Sequence, residues 1–72
     1  MTFGLALWSA VLRAGGPSTV ARELGVARWT LYRWRMLSTP DDLTRKQVRR
    51  IMRRFPNLTW NDKELPHVQT SF

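Results

Sequence analysis

This 72-residue sequence predicts an all-α fold, a compact bundle of four to five short helices. Apolar residues recur at helical spacing along successive segments, most clearly in the stripe from Val48 to Phe55. Residues that end helices separate these segments, at Gly15-Gly16, Gly25 and Pro56. No segment alternates apolar and polar residues as a half-buried strand would.

The length and composition of the chain limit its class. A chain of 72 residues is expected to form one domain, because it buries only about 60% of its unfolded surface. We expect residues 1–65 to form that domain and residues 66–72 to be a flexible tail. There is no cysteine, and the single histidine, His67, has no ligand-spaced companion, so no disulfide, metal or other cofactor is expected.

The first helix is expected at residues 3–14, where apolar side chains cover most of the circumference. Such a helix is largely buried or presents an apolar side to a partner. Phe3, Leu5 and Trp8 could therefore belong to either surface. The apolar run is too short for a membrane span, which needs roughly 20 residues, and no basic residue precedes it as in a signal peptide.

The second helix is expected to begin at Pro17, since proline suits the first helical position. Gly25 allows a tight turn because positive φ costs it nothing, and a third helix follows at residues 27–36. Ala27 offers no capping side chain to this third helix. The inward-facing residues of the two helices are Val20, Ala21, Leu24, Leu31 and Trp34.

The fourth helix is expected to begin at Thr39-Pro40-Asp41-Asp42. This segment offers a threonine cap, a proline at the first position and acids against the helix dipole. Pro56 ends this helix. A short fifth turn is expected from the capping pattern Thr59-x-x-Asp62 ahead of Leu65, ending at Pro66.

The formal net charge is +7, and residues 43–55 carry six cations and no acid. This balance favours a polyanion or an acidic protein surface as a partner. An ordinary solvated face is the alternative, although a run without any acid is unusual for one. The candidate polyanion-binding residues are Arg45, Lys46, Arg49, Arg50, Arg53 and Arg54.

The segment from Leu12 to Val26 follows the pattern L-x-x-G-G-x-S-x-x-A-x-x-L-G-V, and Leu31 and Trp34 complete an apolar skeleton. This skeleton resembles that of helix-turn-helix regulators of the Cro and phage-repressor family. The resemblance implies that a helix-turn-helix lies within the bundle and that the second motif helix is the one that would enter a DNA major groove.

The outward residues of this third helix do not suit base reading well. Arg28 and Arg33 suit guanine or phosphate, but Trp29 and Tyr32 are bulky in a groove and leave apolar area exposed. Tryptophan, tyrosine and arginine together are typical of protein–protein hot spots. The alternative is that one aromatic ring, first of all Trp29, folds back onto the protein. The candidate partner-binding residues are Arg28, Trp29, Tyr32, Arg33 and Arg35.

The whole chain is similar to small transcription regulators of lytic phages that bind the host RNA polymerase. The similarity lies in the opening MTFGLALWSAVLRAGG and the ending LTWNDKELPHVQTSF. It implies bacterial RNA polymerase as the partner, inhibition of transcription initiation by interference with σ-factor function, antitermination, and a location in the host bacterial cytoplasm.

A Cro-like operator-binding repressor is the alternative, favoured by the motif and the charge. No dimer-building strand or heptad is present, so we expect a monomer with weak or non-specific DNA binding. An enzyme is not expected, because the sequence offers no nucleophile–histidine pair and no phosphate-cradling glycine loop.

Overall fold

The computed structural model describes residues 1–61 of the chain. Within them, the all-α prediction is confirmed, and no strand occurs. The predicted tail, residues 62–65 of the predicted domain and most of the predicted fifth turn lie outside the described residues. The helices are α1 (Phe3–Arg13), α2 (Pro17–Leu24), α3 (Arg28–Trp34) and α4 (Arg45–Arg54), with a 3-10 turn at Pro40–Asp42.

The core lies where the four helices meet and is apolar throughout. No polar or charged side chain is buried among residues 1–61. Trp60 covers the end of the core, with its ring edge-on to Phe3 at a centroid distance of 4.9 Å. The large core residues are Phe3, Leu7 and Val11 of α1, Val20 and Leu24 of α2, Leu31 and Trp34 of α3, and Ile51 of α4.

The turn between α2 and α3 forms as the sequence predicts. Gly25 adopts the left-handed conformation, with φ at 72°. Its N–H donates to the carbonyl of Arg22 at 3.3 Å, and the N–H of Val26 donates to the carbonyl of Ala21 at 3.0 Å. This pair of bonds is the Schellman closure, which satisfies the last carbonyls of a helix. Because the closure leads directly into α3, it sets the direction in which Leu31 and Trp34 enter the core.

The third helix is shorter than the predicted residues 27–36, and it ends at Trp34. Beyond it the chain turns so that two backbone carbonyls accept hydrogen bonds from the start of α1. The N–H of Phe3 donates to Ser38 at 3.0 Å, and the N–H of Gly4 donates to Leu37 at 2.8 Å. The N–H groups at the start of a helix have no acceptor within that helix. These bonds therefore satisfy the first donors of α1 and the carbonyls of the segment after α3.

Gly4 permits this approach because it has no side chain. A Cβ atom at this position would lie 2.6 Å from the carbonyl oxygen of Trp34 and closer still to that of Arg35. Both obstacles are backbone atoms, which cannot rotate away as a side chain would. The first turn of α1 therefore packs directly on the end of α3.

The predicted start of the fourth helix is wrong. Thr39 caps only the short 3-10 turn, where its hydroxyl accepts from the N–H of Asp41 at 3.2 Å. Leu43 then becomes extended and packs against the core. The helix begins after Thr44, whose hydroxyl accepts from the N–H of Gln47 at 3.1 Å while the Gln47 side chain accepts from the N–H of Thr44 at 2.9 Å. This reciprocal capping box outweighs the weaker signal at Thr39.

None of the helices within residues 1–61 combines the length and apolar character needed to cross a membrane.

We expect Gly4→Ala to lower the free energy of unfolding by about 1–3 kcal/mol, the usual range for overpacking. Replacing an unconstrained helical glycine with alanine would raise it by roughly 0.5–1 kcal/mol instead. Urea denaturation followed by circular dichroism measures the difference. Leu5→Ala, an exposed neighbour on the same helix, serves as the control and should change stability by about 0.5 kcal/mol or less. A more stable Gly4→Ala variant would contradict the close approach of α1 to α3.

We expect Thr44→Ala to destabilise the protein by about 1 kcal/mol, because it removes one half of the capping box of α4. Thr39→Ala should cost clearly less, since Thr39 caps a turn of three residues. Thermal melting of the two matched variants compares them. An equal or larger loss in Thr39→Ala would instead support a helix that begins at Pro40.

Candidate functional site

Aromatic and arginine side chains, all exposed except the half-buried Trp8, lie on α3 and on the side of α1 next to it. Trp29 is 60% exposed and Tyr32 is 41% exposed, both on α3. Trp29 therefore does not fold back onto the protein. We call this cluster the aromatic surface, and its members are Trp8, Trp29, Tyr32, Arg33 and Arg35.

Trp8 of α1 and Tyr32 of α3 form the centre of this surface. Their ring centroids are 5.0 Å apart, with the ring planes tilted by 47°. The guanidinium carbon of Arg35 lies 5.1 Å from the ring centroid of Trp8 and 5.8 Å from that of Tyr32. One cation thus covers two rings that belong to different helices. The Tyr32 ring therefore packs against α1, and part of it remains exposed to solvent.

The remaining arginines of α3 also have partners within the chain. The guanidinium carbon of Arg33 lies 5.4 Å from the ring centroid of Trp29. Such contacts are worth about 0.5–1 kcal/mol when exposed, enough to favour one arrangement of both side chains. Arg28 donates instead to the hydroxyl of Ser18 at 3.1 Å, at the start of α2. Four of the five predicted partner-binding residues therefore form two pairs, Trp29 with Arg33 and Tyr32 with Arg35, which are neighbours by helical spacing, and Arg28 is bonded to α2.

The first helix adds apolar area that the sequence left unassigned. Leu5 and Leu12 are both more than half exposed, and they lie on the same helical stripe as Trp8. The opposite side of α1, which carries Phe3, is buried in the core. The signal in the sequence was an apolar coating wider than one core-facing stripe requires. Trp8 belongs to the aromatic surface because α3 is packed beside it.

The predicted polyanion-binding residues divide into two groups. Arg50, Arg53 and Arg54 line a groove between the second half of α4 and the end of α2. Arg45, Lys46 and Arg49 lie outside the groove and are exposed to solvent. Arg22 of α2 also lines the groove, and the sequence reasoning missed it. Only the packing of α2 against α4 brings it beside the other arginines.

Two contacts hold this groove together. Arg54 forms an ion pair with Glu23, with its Nε atom 2.6 Å from the Oε1 atom. Arg50 donates from Nη1 to the carbonyl oxygen of Leu24 at 3.4 Å. A cation near the last carbonyls of a helix is favoured by the helix dipole. Both contacts join α4 to the end of α2. They also fix the guanidinium groups of Arg50 and Arg54 at the edge of the groove.

Residues 1–61 contain no group of three or more histidine, cysteine, aspartate or glutamate side chains placed to hold a metal ion. Comparison with protein-family models, with curated proteins and with solved structures finds no match to this chain.

We expect Trp8 and Tyr32 to be energetically coupled. A double-mutant cycle built from Trp8→Ala and Tyr32→Ala should give a coupling free energy of about 0.5–1.5 kcal/mol, the usual range for an aromatic pair. Urea denaturation of the four proteins provides it. A parallel cycle between Val48→Ala and Tyr32→Ala provides the control and should be additive within about 0.5 kcal/mol. Additivity at both pairs would show that the rings do not pack together in solution.

Proposed function

We propose that this protein is a phage transcription regulator that binds the host bacterial RNA polymerase through the aromatic surface. In this proposal the helix-turn-helix spacing of the sequence supplies a rigid scaffold that presents α3 to a protein. The resemblance of the whole chain to small polymerase-binding regulators supports RNA polymerase as the partner. The geometry of its side chains supports the aromatic surface as the binding site.

The observation that carries the proposal is the exposed Trp29 ring with the Arg33 guanidinium stacked on it, beside the Trp8–Tyr32 pair. Exposed tryptophan and tyrosine offer large apolar area with few rotatable bonds, and arginine adds directional hydrogen bonds at their edge. Residues of these three types dominate the binding energy of protein interfaces. Stacking before binding also reduces the side-chain entropy lost when a partner docks.

The same arrangement argues against base reading by α3. An arginine that reads guanine extends its fork freely to a base edge. Arg33 and Arg35 are instead stacked on rings, and Arg28 is bonded to Ser18. Reaching a base would require giving up these contacts and burying Trp29 in a groove. A partner with an apolar pocket and acceptors around it suits this surface better.

Binding at this surface would act on transcription initiation. We infer inhibition by interference with σ-factor function, and antitermination as a second effect, in the host bacterial cytoplasm. The resemblance implies both the inhibition and the antitermination, and both require RNA polymerase as the partner. A monomer suffices for this role, since docking on one protein surface needs no second half-site.

A Cro-like operator-binding repressor is the second candidate. The tight closure at Gly25 between α2 and α3 favours it, because operator-binding proteins use such a turn to place their recognition helix. In that case α3 would contact base edges, and the cations of α4 would add salt-sensitive affinity for phosphate.

Retention of RNA polymerase from a host lysate on the immobilised full-length protein tests the first proposal. We expect Trp29→Ala to weaken retention at least about tenfold, as removal of a hot-spot residue does, and Trp29→Phe to restore part of it. Immunoblotting for polymerase core subunits measures retention, and a run-off assay from a σ-dependent promoter measures inhibition of initiation. Circular dichroism checks that each variant keeps its helices.

A matched arginine pair provides the control for charge. Arg33→Ala should weaken polymerase retention, whereas Arg45→Ala removes the same charge from an exposed position outside the aromatic surface and should have little effect. Unchanged retention in both Trp29→Ala and Tyr32→Ala would show that the surface is wrong. Sequence-selective gel shifts that survive competitor DNA at about 150 mM salt, where exposed charges are screened, would favour the repressor instead.

A further inference from the structure

We propose that the groove between α2 and α4 is a second binding site, which takes the phosphate groups of a nucleic-acid backbone. We call it the arginine groove, and its basic residues are Arg22, Arg50, Arg53 and Arg54. The aromatic surface shares none of these residues. This proposal does not depend on the polymerase, and the isolated chain suffices to test it.

The charge of the groove favours an anion. Among residues 1–61, four arginines line it, and the one acid of this lining, Glu23, is already paired with Arg54 at 2.6 Å. Arg22 and Arg53 make no hydrogen bond or ion pair with any residue among 1–61. Their guanidinium groups keep all their donors available for a ligand. Arginine forks match the geometry of phosphate oxygens closely.

The groove offers little to a partner protein. Within the described part of the chain, its only apolar side chain, Leu24, is buried in the core, and Gly25 contributes no side chain at all. A specific protein interface needs a desolvated apolar centre, which this lining cannot provide. A phosphodiester backbone needs no such centre, because its affinity comes from charge neutralisation and release of counterions. The lining therefore favours nucleic acid over an acidic protein segment.

A row of cations along α4 extends the groove. Lys46, Arg50 and Arg53 lie about one helical turn apart on the same side of the helix. The row is about 10 Å long, since each residue advances the helix by about 1.5 Å. Neighbouring phosphates of one strand lie farther apart than the axial rise of about 3.4 Å, because the strand winds around the axis, so the row reaches about two phosphates. Two or three contacts of this kind give weak binding that is independent of sequence and sensitive to salt.

Fluorescence anisotropy with the full-length protein tests the site, with labelled single-stranded RNA and duplex DNA of equal length as probes. We expect Arg22→Gln together with Arg53→Gln to lower affinity at least about tenfold at low salt. The slope of log affinity against log salt concentration should become shallower by about 2, about 1 for each lost phosphate contact. The probe that binds more tightly identifies the source of the phosphates.

A matched double variant separates the groove from the net charge. Arg13→Gln together with Arg45→Gln removes the same charge from exposed positions outside the groove and should change affinity less than about threefold. Equal losses in the two double variants would overturn the proposal, as would the absence of binding to both probes. Displacement by polyglutamate as effective as by unlabelled oligonucleotide would do the same, in favour of an acidic protein partner.

A measurement on the unmodified chain guards against misfolded variants. Two-dimensional amide NMR during titration with the oligonucleotide should move the resonances of Gly25 and Arg53 ahead of those of Trp29. Shifts that cluster at Trp29 and Tyr32 would place the nucleic acid on the aromatic surface and overturn the proposal. Polymerase retention would be untouched by loss of the groove, so the failure of either proposal can be distinguished from the failure of the other.

Discussion

The close approach of α1 to the end of α3 is the contact on which the core and the aromatic surface both depend. Gly4 leaves room for the carbonyls of Trp34 and Arg35, and the free N–H groups at the start of α1 bond to the chain beyond α3. Trp8 lies one turn further along the same side of α1, so the same approach brings it against Tyr32. Any side chain at Gly4 would separate the two helices and, with them, the two rings.

The two surfaces differ in how their arginines are held. On the aromatic surface, Arg33 and Arg35 are stacked on rings, so cation and apolar area are presented together. In the arginine groove, Arg22 and Arg53 have no partner among residues 1–61, and the side chains around them are polar or already buried. The same residue type is therefore presented in two different ways, stacked on rings or unpaired. Stacked arginine suits a protein partner, and unpaired arginine suits phosphate.

Local signals in the sequence were reliable where the type of a single residue determines the backbone conformation at its position. Pro17 and Gly25 could be assigned because a fixed φ or a positive φ has few other solutions. The start of α4 was missed because two capping signals compete within six residues, at Thr39 and Thr44. The capping box at Thr44 is the stronger signal, and the packing of Leu43 against the core adds to it, since Leu43 is extended after Asp42. That packing belongs to the core and is invisible in the local pattern.

The sequence by itself determined the all-α class, the inward faces of α2 and α3, and the turn at Gly25. Each of these follows from helical periodicity or from the backbone preference of a single residue. Only the tertiary structure decided that Trp8 joins Tyr32, that Arg22 joins the cations of α4, and that Arg45, Lys46 and Arg49 lie outside the groove. These outcomes depend on which helices lie side by side. Contacts between residues far apart in the chain are set by the packing of the whole core, and no local spacing encodes them.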